Sequence, residues 1–121
     1  MTDDAFRGEI SEAIRAHAAW KHRLLTAARN NETDLPVQDI CRDDKCRFGQ
    51  WLAGVTPNDR TRSYFNNIKT LHSDFHKAAG LVAQKIADGN PTMAIAALEG
   101  AAYTTSSKEL EEALAEWQAK G

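Results

Sequence analysis

A chain of 121 residues with 42% hydrophobic content fits one domain with its own core. Its 15 basic and 17 acidic residues nearly cancel, giving a formal net charge of -2, and no basic stripe interrupts the balance; this argues against nucleic acid as a partner. No run of about 18 apolar residues offers a membrane span, and the acidic amino terminus has no signal-type apolar core, so the expected location is the cytoplasm without a membrane partner.

Three long helices are expected. The first runs from about Asp4 to Arg29, with Thr2 or Asp3 as its cap and a face built from Phe6, Ile10, Ile14, His17, Trp20 or Lys21, and Leu24. Residues 30–36 form a turn-rich connection, Val37 to Cys41 a single turn, and Cys46 to Ala53 a short helix closed by Gly54. The second long helix is expected to start at Thr56-Pro57, a capping threonine before a first-turn proline, and to reach Asp88. Its stripe is Phe65, Ile68, His72, Phe75, Ala79, Val82 and Ile86. Asp88-Gly89-Asn90-Pro91 reads as a stop followed by a restart. The third helix extends from Pro91 to about Ala119 on Ile95, Leu98, Ala102, Leu110, Leu114 and Trp117, with Thr104–Ser107 as its weakest stretch. The predicted fold is therefore all-α: an antiparallel four-helix bundle, a single domain over residues 1–121, in which one short helix carries a cysteine.

Four side chains break the apolar pattern in a way that suggests a metal. His72 and His76, four apart, project from one helix face and can converge on one ion, although such a pair also occurs as hydrogen-bonded core or surface histidines. His17 takes a stripe position where a bundle helix ordinarily has Leu or Ile. An unpaired imidazole there costs roughly 1–3 kcal/mol, which either metal ligation or donation to a backbone carbonyl would offset. Cys46 opens the short helix, where free amides and the flanking Lys45 and Arg47 should favour thiolate. Three imidazoles and one thiolate form a closed tetrahedral set suited to zinc. With no position for an activated water, that set argues against hydrolytic catalysis, and the chain is not expected to be an enzyme. A di-iron bundle would need about twice as many ligands, with inward carboxylates.

The two cysteines, Cys41 and Cys46, are too few for a secreted disulfide framework, and their spacing matches no paired-cysteine zinc knuckle. His22, about 140° around the helix from His17, reads as a surface residue, and Cys41 as a small, partly buried one or a resolving thiol for Cys46. Trp20 and Trp51 could shield a metal from water or belong to the core; Gly49 should allow close helix approach beside the site. Asp43 and Asp74 read as solvated, with an orienting role toward an imidazole as the alternative.

The strings His17-Ala-Ala-Trp20, Cys46-Arg-Phe-Gly49-Gln-Trp51 and His72-Ser-Asp-Phe-His76 resemble the H-x-x-W, C-x-x-G-x-W and H-x-x-x-H motifs of the chemoreceptor zinc-binding domain family, in that order. The resemblance implies a cytoplasmic bundle, commonly a homodimer, holding zinc on His17, Cys46, His72 and His76. It further implies zinc or oxidant sensing for a chemoreceptor or a diguanylate cyclase. Neither a methyl-accepting hairpin nor a cyclase domain occurs in this sequence, so the chain is expected to be a free-standing member or a fragment whose output lies elsewhere. Without sensing, the same site would serve as a structural staple in a dimerisation module.

Overall fold

The computed structural model describes residues 2–120, with side chains from Asp4 onward; the side-chain cap expected of Thr2 or Asp3 therefore lies outside the described side chains. Six helices and no strand occur among the described residues: α1 (Thr2–Arg29), α2 (Val37–Ile40), α3 (Arg47–Ala53), α4 (Arg62–Ala87), α5 (Pro91–Glu99) and α6 (Ala101–Lys120). No helix is long and apolar enough to cross a membrane.

The apolar periodicity decides which faces meet. On α4 every expected stripe residue, Phe65, Ile68, His72, Phe75, Ala79, Val82 and Ile86, is buried. On α1 the buried positions are Ile10, Ala13, His17, Leu24, Ala27 and Ala28, while Phe6, Ile14 and Trp20 pack at the rim and Lys21 stays in solvent. Helix α6 covers both through Tyr103, Leu110, Leu114 and Trp117.

Aromatic contacts give the directions. Trp117, near the end of α6, touches Phe6 at 4.9 Å and Phe65 at 6.2 Å between ring centroids, so α1 and α4 both begin where α6 ends. Gln118 Nε2 donates to the Arg7 carbonyl at 2.9 Å, and Tyr103, near the start of α6, meets Phe75 farther along α4. Thus α6 is antiparallel to α1 and α4, which share one direction. The chain after α1 has to return the length of the bundle before α4 can begin, and α2 and α3 ride on that return.

Three local expectations are corrected. Helix α4 starts at Arg62, not at Thr56-Pro57. Asn58 builds a turn first: its side chain accepts from the Thr61 amide at 3.0 Å and from the Thr61 hydroxyl at 3.1 Å, and helical bonding begins only with Phe65 N–H to the Thr61 carbonyl. The expected third helix is two, and the interruption lies at Gly100, whose backbone is extended (φ -77°, ψ 166°), while Thr104–Ser107 is helical. The buried positions also differ by one: Ala94, a turn before Leu98, is buried on α5 where Ile95 was expected, and beyond the break Tyr103 is buried where Ala102 was expected. The stop at residues 88–91 forms as expected: Gly89 adopts φ 80°, the Asn90 amide reaches back to the Lys85 carbonyl, and Pro91 opens α5.

Candidate metal centre

His17, His72 and His76 are only 3%, 1% and 2% exposed, as dry as the leucines around them. Their Nε2 atoms face one another: His17 to His72 is 3.1 Å, His72 to His76 is 3.1 Å, and His17 to His76 is 3.4 Å. Cys46 Sγ lies 3.3 Å from His72 Nε2, and all four donor atoms fall within 4.8 Å of one another. Around a tetrahedral zinc, with bonds of about 2.0–2.1 Å to nitrogen and 2.3 Å to sulfur, neighbouring donors stand roughly 3.3–3.6 Å apart. The His17–His76 pair has that spacing, the two His72 pairs are about 0.2 Å tighter, and the sulfur has it toward His72.

The outer hydrogen bonds choose the tautomers. His17 Nδ1 lies 2.7 Å from the Ala13 carbonyl one turn back on α1, and His76 Nδ1 lies 2.9 Å from the Ile40 carbonyl on α2. A neutral imidazole donating from Nδ1 carries its lone pair on Nε2, the atom turned inward. Burial holds all three rings neutral: desolvation is the chief cause that pushes His17 down to about 4 and His72 down to about 3, and it lowers His76 as well.

Cys46 caps α3, its sulfur accepting from the Gly49 amide at 3.3 Å. The expectation that this position favours thiolate is corrected in sign for the metal-free chain. Burial raises the thiol above its ordinary value, outweighing the amides of Gly49 and Phe48, and the nearby Asp43 charge adds to the rise. Arg47 does not help, because its guanidinium is turned to Glu9 at 2.6 Å. Thiolate here needs a cation beside the sulfur.

Gly49 is required for closure, since a Cβ there would sit 1.7 Å from the Asp43 carbonyl oxygen. Trp51 stacks on Phe48 at 5.7 Å, and Phe48 in turn meets the edges of His17 and His72. Trp20 borders a cavity of about 60 Å³ shared with His17 and Cys46, and a second of about 190 Å³ shared with Cys46 and His76. His22 and Asp74 are exposed, and Cys41 is half-buried with its thiol toward the Gln38 carbonyl. The Ala13 and Ile40 carbonyls are orienting groups that residue types could not single out, because every residue carries a carbonyl.

A closed set of three nitrogens and one sulfur, in the core of an all-α bundle, defines a zinc-binding helical domain. The chain belongs to the chemoreceptor zinc-binding domain family, whose model matches residues 17–83, and zinc is its cofactor. No match was found among curated proteins or among solved structures.

The depressed histidines fix the acid response of the metal-free chain. Each ring is neutral when folded and takes up a proton near pH 6.5 when unfolded. The stability linked to this difference is therefore complete above about 6.5 and is lost as pH falls toward the folded values near 4 and 3. Chemical denaturation of EDTA-treated protein should show losses approaching 1.4 kcal/mol per pH unit for each such histidine between about pH 6 and 4.5. A flat profile would show that the rings are not held neutral.

Proposed function

We propose that His17, Cys46, His72 and His76 together ligate one zinc ion and that the chain is a cytoplasmic, non-enzymatic sensory domain. The observation that carries this reading is the approach of three buried Nε2 atoms to within 3.1–3.4 Å, with a sulfur 3.3 Å from one of them. Membership in a family named for chemoreceptors supports a signalling role. The domain spans residues 1–121, because α6 fills the same core as the ligand-bearing helices. It acts as a homodimer whose output belongs to a chemoreceptor or diguanylate cyclase type of partner. Trp20, Trp51 and Gly49 keep water from the ion, directly or by closing the packing around Phe48. Protein purified without added metal should carry about one zinc per chain, with three nitrogens and one sulfur in X-ray absorption. His72→Ala or His76→Ala should remove most of it, and His22→Ala almost none; equal losses at His22, or an oxygen-dominated shell, would sink the assignment.

The signal is zinc supply or an oxidant acting at Cys46. Zinc keeps the sulfur as thiolate, the form that attacks electrophilic oxidants. Two-electron oxidation of Cys46 to sulfenic acid removes that charge and makes the sulfur a poor ligand. Limiting hypochlorous acid should therefore modify Cys46 before Cys41 and release zinc in step, as read by mass spectrometry beside a colorimetric zinc assay. Zinc leaving while Cys46 is still reduced would contradict the redox route.

A second reading is favoured by the burial of all three histidines: the ion is a structural staple in a dimerisation module. Chelation separates the two. In a sensor, zinc removal should change near-ultraviolet circular dichroism while the far-ultraviolet helix signal persists; in a staple both should collapse together.

A further inference from the structure

We infer that Gly80 is a positioning residue for His76, acting through the seat it provides for α2; the inference rests on the zinc reading of the site. Glycine inside a helix needs a reason, because alanine is a far better helix former. Gly80 lies well inside α4 and is buried, and it occupies no turn. What it supplies is space. A Cβ built there would lie 2.5 Å from the Cβ and 3.0 Å from the Cα of Cys41. Neither atom can be moved by a rotamer change, so the chain at the end of α2 would have to shift.

That shift reaches the site in one step. Cys41 is bonded to Ile40, and the Ile40 carbonyl is the acceptor 2.9 Å from His76 Nδ1. His76 and Gly80 stand one turn apart on the same face of α4. The bare backbone at residue 80 therefore lets α2 approach closely enough for that carbonyl to hold the His76 proton on Nδ1. Nε2 is then left as the donor atom facing His17 and His72. Cys41 takes part through its backbone and Cβ, with its sulfur directed at Gln38. His17 needs no such support, since its own acceptor, Ala13, lies on α1. The dependence is thus specific to one of the three rings.

The test compares the full chain with Gly80→Ala. Zinc affinity, measured by competition with a chromophoric chelator, should fall by about 10- to 100-fold, the range typical of lost outer hydrogen bonds to metal ligands. Imidazole nitrogen-15 spectra should lose the slowly exchanging Nδ1–H of His76 and keep that of His17. Adding Cys41→Gly removes the clashing Cβ and should recover a large part of both the affinity and the signal. Unchanged affinity with an unchanged His76 signal in Gly80→Ala overturns the inference and leaves the zinc reading standing. Loss of the His17 and His76 signals together also overturns it, because the damage is then general. If the wild type binds no zinc, the zinc reading fails, and the His76 signal of metal-free Gly80→Ala still decides whether Gly80 seats α2.

Discussion

Three neutral imidazoles meet through their Nε2 atoms in a dry core. Once all three present lone pairs there, as the outer hydrogen bonds set for His17 and His76 and as a metal would require of His72, they repel with little screening. A divalent cation held between them would reverse the sign, turning that repulsion into a source of cohesion. Much of the bundle is arranged around this constraint. Two rings are steered by carbonyls from different helices, at Ala13 and Ile40, and Phe48 and Phe75 close around them edge-on. The apolar walls keep the local dielectric low, which strengthens both the problem and its remedy.

With α1 and α4 running in one direction, His17 meets His72 and His76 at mid-height of both helices. An immediate antiparallel hairpin after α1 would begin the next helix at the far end. The chain instead returns through residues 30–61 and uses the return to deliver Cys46 at mid-height. α6 then runs down both helices, with Trp117 joining Phe6 to Phe65 and Tyr103 supporting Phe75. His17 contacts Phe75 in turn, so α6 reaches the candidate site through one aromatic neighbour.

The features legible in the sequence were those encoded by side-chain type at a fixed period. His72 and His76 sit where a step of four places them, and His17 stands out because an imidazole interrupts an otherwise apolar stripe. Cys46 was legible as a helix opener, and it does cap α3. What escaped was decided by other means. The late start of α4 follows from the Asn58 side chain winning over a Thr-Pro pair that looked equally good. The break at Gly100 outweighed the low helix propensity of Thr104–Ser107, because packing of Tyr103 and Leu110 stabilises that stretch. The thiol of Cys46 was misjudged because neighbours in sequence suggested positive charge, whereas Arg47 is held at Glu9 and burial dominates.

The partition of the four donor side chains along the chain has a consequence for the unfolded state. His17 and Cys46 precede the exposed stretch 58–60, and His72 and His76 follow it. An ion shared among them ties together positions 26 to 59 residues apart. A covalent cross-link closing a loop of that size removes enough chain entropy to stabilise a fold by about 4 kcal/mol, and because the dependence on loop length is only logarithmic, the exact positions of the ligands matter little. With the proposed ligand set, the metal serves this chain as a disulfide serves a secreted domain. The difference is that such a cross-link would be reversible, and under the proposed redox route it would open with the chemical state of one sulfur as well as with the supply of the ion.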